Sequence, residues 1–171
     1  MVKIFDIKND KFDFDFNYNN EETKILQNEM KNKQDININD LRRISLWKLD
    51  RVLNVDEMTI NNLQKIAITK DIHIDDELVM NTIKELVKSD GIGFPMASSI
   101  LKFLRPDIFP IIDVRAYRAL YGKKISYSQY TIEKYINYIK DISKIAIEKN
   151  IDLTQVDEQL YCFDKQNNGK I

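Results

Sequence analysis

Between Leu86 and Leu120 the chain reads LVKSDGIGFPMASSILKFLRPDIFPIIDVRAYRAL, and this run holds the residues whose types and spacing can do chemistry. At its centre stand Gly91, Ile92 and Gly93, two glycines that allow backbone angles other residues resist. Pro95 follows where the first turn of a helix tolerates proline. Ala97, Ile100, Leu101 and Leu104 then recur at helical spacing and predict one buried face, with Ser98, Ser99 and Lys102 on the other. A helix, a glycine turn and a second helix make a helix-hairpin-helix. Its exposed amides and the positive end of its second helix face the same way, an arrangement that binds phosphate without reading a base. Ser89, Gly91, Gly93 and Lys102 are the phosphate-contact candidates.

Asp113 lies twenty residues beyond Gly93, behind the apolar segment Ile108, Phe109, Pro110, Ile111 and Ile112, and Arg118 follows five residues later. Partial desolvation behind those isoleucines favours a raised carboxyl pKa. Asp113 also reads as the N-cap of a helix from Val114 to Leu120. The two roles are compatible. Arg115 and Arg118 read equally as contacts to DNA phosphate or as partners of acidic neighbours. Trp47, within Trp47-Lys48 and Arg51, is either a core indole or a stacking surface for a base. Tyr117, Tyr121 and Tyr127 raise the same alternatives, with core packing expected for each. His73 has no partner in view, and Cys162 is expected to be buried. No zinc spacing, Walker motif or nucleophile elbow is present, so no metal site is expected.

This stretch resembles the helix-hairpin-helix GPD superfamily of DNA glycosylases, which includes endonuclease III, the 8-oxoguanine glycosylases and the 3-methyladenine glycosylases. Gly91, Ile92, Gly93, Ala97, Pro110 and Asp113 fit the family pattern, and Arg118 matches a basic position often seen after the catalytic aspartate. The close match covers about a fifth of the chain. The resemblance implies that Asp113 is a catalytic carboxylate, stabilising positive charge on deoxyribose as a base departs and orienting water. It implies a nucleotide flipped out of the stack into a pocket, for which Trp47 and Tyr117 are the lining candidates. Bifunctional members carry a Schiff-base lysine two residues after the second glycine, where this chain has Pro95, so a monofunctional enzyme is implied. Cluster-containing members need four cysteines and this chain has only Cys162, so no iron-sulfur cofactor is expected. The resemblance permits a monovalent cation on the hairpin carbonyls. Ser89 replaces an apolar residue common two positions before the first glycine.

Net charge is −1, which does not mark a strong nonspecific DNA binder. The distribution matters more. From Lys84 to Lys124 there are eight Lys or Arg against four Asp or Glu, whereas Met1 to Asp40 carries six against nine. The basic excess falls on the segment expected to touch phosphate, and solvated surface charge accounts for it almost as well. One cysteine excludes an internal disulfide and suits a reducing compartment. With no signal peptide or membrane-length apolar run, the expectation is a soluble cytoplasmic protein with no membrane partner.

The elements that must position these residues are helical. Phe12, Phe14, Phe16 and Tyr18 alternate with Asp13, Asp15 and Asn17, predicting an extended arm over 1–20 or a short hairpin with Val2 to Ile7. A helical lobe follows over 21–88. Ile25, Leu26 and Met30 form a first face, and Asn39 or Asp40 caps a second helix carrying Leu41, Ile44, Leu46, Leu49, Val52 and Leu53. Asp56 precedes a third, and Asp75 or Asp76 caps a fourth with Val79, Ile83, Leu86 and Val87. The hairpin and candidate catalytic segment occupy 89–125. In 126–171, Ser126 or Ser128 opens a long helix ending at Asn150, and a last helix from about Asp152 holds Val156, Leu160 and Phe163.

The expectation is a single all-α, two-lobed helical domain acting on DNA through its phosphate backbone as a monofunctional glycosylase. The alternatives are a non-catalytic DNA-binding module with Asp113 only a cap, and a protein-interaction domain on the same fold. A base-sized pocket beside Asp113 favours the enzyme.

Overall fold

A computed structural model describes residues 5–11, 14, 18–31 and 33–171. Every regular element among them is helical: α1 Asn20–Met30, α2 Ile38–Lys48, α3 Glu57–Ile68, α4 Glu77–Lys88, α5 Phe94–Leu104, α6 Val114–Tyr121, α7 Ile132–Lys149 and α8 Leu153–Asn167. A 3-10 turn spans Tyr127–Gln129. The chain is all-α, as composition and periodicity predict. Much of the expected N-terminal arm, including Phe12, Asp13, Asp15, Phe16 and Asn17, lies outside the described residues, as do residues 2–4 of its suggested partner. No described helix is long and apolar enough to cross a membrane.

The chain divides into two compact units, Met1–Val52 and Leu53–Ile171. In the first, α1 packs on α2. The cap of α2 is Asn37, two or three residues earlier than expected, because Asn37 and Asp40 form a reciprocal capping box. Asp40 is the inner member of that box and also holds Lys33 at 2.8 Å. The helix stops at Lys48, short of Val52 and Leu53, and Asp50 takes a left-handed conformation with φ 55°.

In the second unit the local signals work mostly as expected. Asp56 caps α3 by accepting the Thr59 amide at 2.8 Å. Asp76 precedes α4, its carboxylate accepting the His73 amide. Asn150, left-handed at φ 52°, ends α7. The start of α7 differs: Ser126 opens only the 3-10 turn, and Thr131 caps α7 through the Lys134 amide. Ile66, Val79, Ile83, Leu101, Phe109, Ile112, Ile139, Ile142 and Val156 form the main core. Leu86, Ile92 and Ala97 form a smaller cluster under the turn between α4 and α5. Burying Ile92 anchors that turn from below.

Tyr135 and Tyr138 of α7 both lie within the core, alongside Ile136, Ile139 and Ile142. α8 departs further from its pattern. Val156 is buried, but its other buried positions are Asp157 and Asp164, while Phe163 is 55% exposed.

Candidate functional site

Asp113 ends the irregular segment between α5 and α6 and caps α6, its Oδ1 accepting the Ala116 amide at 2.7 Å. The side chain is half-buried. Burial pushes the carboxyl above its ordinary 3.8; the Ala116 and Arg115 amides oppose that, and the Asp157 charge adds to it. A cleft of about 320 Å³ opens at this carboxylate, lined by Ile111, Asp113, Ala116, Asp157, Glu158, Tyr161 and Cys162. Such a volume lies at the small end of the range for ligand pockets.

The segment that carries Asp113 is tied down at successive backbone groups. Tyr135 Oη donates to the Pro110 carbonyl at 3.0 Å. Asp157 Oδ2 accepts the Ile111 amide at 2.9 Å, and Tyr138 Oη donates to the Ile111 carbonyl at 3.0 Å. The Ile112 amide reaches Ser98 Oγ at 3.1 Å. Irregular backbone in a protein interior requires such partners, because an unmatched buried amide or carbonyl is costly. Side chains of α5, α7 and α8 therefore supply what a regular element would have supplied internally. None of these partners was singled out from sequence. A serine, two tyrosines and an aspartate on amphipathic helices carry no local mark of the loop they serve.

The turn between α4 and α5 presents two different uses of glycine. Gly91 has φ +78°, a left-handed conformation that L side chains rarely adopt. Gly93 has an ordinary extended backbone, and its constraint is proximity: a Cβ there would come within 2.8 Å of the Tyr127 ring. No side chain caps α5, and Pro95 sits in its first turn. Ser89 Oγ donates to the Glu85 carbonyl at 3.0 Å, so its proton is used within α4. Tyr127 is 77% exposed, contrary to the core packing expected of it.

Lys102, the cation expected at phosphate, and Arg115 and Arg118, read equally as phosphate contacts or as partners of acidic groups, all turn toward internal carboxylates. Lys102 is 7% exposed and spends its ammonium on Asp157 at 2.8 Å, Glu158 at 2.9 Å and the Thr154 carbonyl at 2.8 Å. Burial by itself would lower its pKa, but the hydrogen bonds and negative charges of Asp157 and Glu158 together outweigh burial and raise it above 10.5. With Ser98 also buried, α5 is covered on two sides rather than one. Arg118 makes a two-pronged pair with Asp164, Nε to Oδ1 at 2.7 Å and Nη2 to Oδ2 at 2.8 Å. Arg115 reaches the same Asp164 at 3.1 Å, and its guanidinium lies 5.9 Å from the centre of the Tyr161 ring. The Arg118 guanidinium holds the Asp164 carboxyl well below the usual carboxylate range. Of the two readings offered for these arginines, the geometry favours acidic partners.

The base-stacking candidates are engaged elsewhere. Trp47 belongs to the first unit, where Nε1 donates to Thr23 Oγ1 at 2.8 Å and Tyr18 meets the indole edge-on at 5.3 Å. Tyr117 is buried in the core, with Tyr121 at 4.5 Å and Tyr138 at 6.5 Å between ring centres. The aromatic ring that does line the Asp113 cleft is Tyr161. Cys162, expected to be buried, is an exposed free thiol on the cleft wall. Among the described residues no group of three or more His, Cys, Asp or Glu side chains is placed to hold a metal ion.

No protein-family model, curated protein or solved structure matches this chain.

Proposed function

We propose that this chain is a monofunctional DNA glycosylase of helix-hairpin-helix type, hydrolysing the N-glycosidic bond of a damaged or modified base. The observation that carries the proposal is Asp113: a half-buried carboxylate on the wall of a cleft of about 320 Å³, at the start of a helix beyond the glycine turn. A carboxylate in that position can stabilise developing positive charge on the sugar carbon and take up a proton from water. Its raised affinity for a proton suits the second task. Tyr161 offers an apolar face to a base that has left the stack.

The backbone clamp in this reading is the α4–α5 turn. Its amides around Gly91 and Gly93, with no side chain capping α5, are its donors. Lys102, Arg115 and Arg118 are not part of that contact, since each is committed to an internal carboxylate. Pro95 leaves no amine at the position of a Schiff-base lysine, so the product is a free base and an intact abasic strand.

Base release is the direct test, from single- and double-stranded DNA carrying a panel of alkylated, oxidised, deaminated and otherwise modified bases. Strand breakage that requires alkali, and disappears in Asp113→Asn, is the expected result. Breakage without alkali would contradict the monofunctional assignment. Release that persists in Asp113→Asn would remove Asp113 from the chemistry.

One observation favours a second reading, a non-catalytic DNA-binding module. Asp113 Oδ1 is already used in capping the Ala116 amide, which accounts for the residue without chemistry. DNA binding unaffected by Asp113→Asn, with no base released from any substrate, is the outcome that selects it.

A further inference from the structure

The proposed chemistry leaves a buried ion pair unexplained. Lys102 on α5 and Asp157 on α8 are separated by 55 residues, yet the Lys102 ammonium sits 2.8 and 2.9 Å from the two Asp157 oxygens. Side-chain exposure is 9% for Lys102 and 3% for Asp157. Taking two charges out of water is expensive, and apolar replacements of similar volume often stabilise a protein at least as well. A pair retained at that cost invites a role beyond holding α5 to α8.

Its position suggests one. Asp157 Oδ2 also accepts the Ile111 amide at 2.9 Å, two residues before Asp113, and Asp157 lines the same cleft as Asp113. The ion pair therefore reaches Asp113 along the backbone and across the cleft. The backbone route fixes where the 110–113 segment lies. The cleft route sets how much negative charge Asp113 faces, because Lys102 offsets Asp157 and Glu158.

We propose that Lys102 and Asp157 are positioning residues of the Asp113 site, fixing the segment that presents the carboxylate and setting the charge it faces. The inference rests on Asp113 being the working group of the cleft, and its test does not require that the work be base release. The other ionisable groups near Asp113 are Arg115 on its own helix, Glu158, Tyr161 and Cys162 on α8, Tyr138 on α7, and Tyr130 before α7. None of them accepts the Ile111 or Ile112 amide; these go to Asp157 and Ser98. Tyr138, which holds the Ile111 carbonyl, contributes no negative charge while its phenol is protonated, and burial drives its pKa further up.

The pair gives opposite predictions for its two members, which separates positioning from generic loss of packing. In the folded full chain, the Asp113 carboxyl carbon is followed by NMR across pH, assigned by its absence in Asp113→Asn. Asp157→Asn removes a negative charge and leaves Lys102 less neutralised, so the Asp113 titration moves down. Lys102→Met leaves Asp157 uncompensated, so it moves up. Exchange of the Ile111 amide rises by about tenfold or more in Asp157→Leu, which no longer accepts it. Titrations that move in the same direction, or do not move in folded variants, overturn the proposal. Should either single variant fail to fold, Lys102→Met/Asp157→Leu removes both charges and keeps an apolar contact. In that variant the expected result is faster Ile111 exchange with an altered Asp113 titration, and wild-type behaviour at both would be the overturning one.

Base release adds a distinguishable arm. If a substrate is found, the acidic limb of its pH–rate profile moves down in Asp157→Asn and up in Lys102→Met, following the carboxyl. A missing substrate would count against the glycosylase reading alone, because the titrations and amide exchange still decide the role of the pair.

Discussion

At the residue scale, Asp113 combines a structural and a chemical demand on one carboxyl. Its burial raises the pKa above 3.8, so ionisation opposes folding once the pH exceeds the value of the unfolded side chain. Asn at this position retains N-capping ability and carries no charge. Asp113→Asn is therefore expected to melt at a higher temperature than wild type at neutral pH, with the difference closing as pH falls through the raised native range toward 3.8. Thermal melts at a series of pH values measure this directly. Cys162 supplies a second residue-scale test, since its exposed thiol lines the same cleft. Alkylation of the native protein is expected to proceed readily and to slow when a base-sized ligand occupies the cleft. Equal rates with a ligand shown to bind would place that ligand elsewhere.

At the element scale, the clearest determinant is the clasp between α6 and α8. Arg115 and Arg118 project from one helix onto Asp164 of the other, and Asp164 is fully buried. Its carboxyl is depressed, first by the Arg118 hydrogen bonds, so the clasp contributes stability at neutral pH. That contribution fades as pH falls from 3.8, where the unfolded side chain protonates, toward the much lower native range. Asp164→Asn should thus lower the melting temperature at neutral pH and approach wild type in strong acid, as scanning calorimetry would reveal. The 110–113 segment has its own determinant in Tyr135. Removing its hydroxyl in Tyr135→Phe strands the buried Pro110 carbonyl, a loss expected near 1–3 kcal/mol by denaturant titration.

At the scale of the whole molecule, stability rests on the apolar interior of the second unit. Ile83 is fully buried in that core, and Ile83→Ala is expected to cost about 2–5 kcal/mol through lost burial and a residual cavity. Phe163 is 55% exposed although helical spacing places it in line with Val156 and Leu160, and Phe163→Ala should stay within about 0.5 kcal/mol of wild type. Equilibrium unfolding of the two variants checks both. A large loss from Phe163→Ala would mean that its ring is covered in solution.

The sequence by itself determined the all-α class, the glycine turn ahead of α5, the Asp113 cap, and the Asp56 and Asn150 helix limits. These depend on apolar periodicity and on bonds made within a few residues, which a linear reading can count. The tertiary structure decided which charges reach solvent. Lys102 pairs with a carboxylate 55 residues away, Arg118 with one 46 residues away, and each reads locally as an exposed cation. Tyr127 and Cys162 are exposed for the complementary reason: residue type ranks them as core residues, but only packing determines which sides of the Ser126 turn and α8 are covered. Tyr161 likewise joins the Asp113 cleft only because α8 folds against α6, whereas Trp47, the more conspicuous aromatic, is used between α1 and α2. Local chemistry specifies elements and their ends, while the partner of a buried charge is chosen by the chain's return from far away.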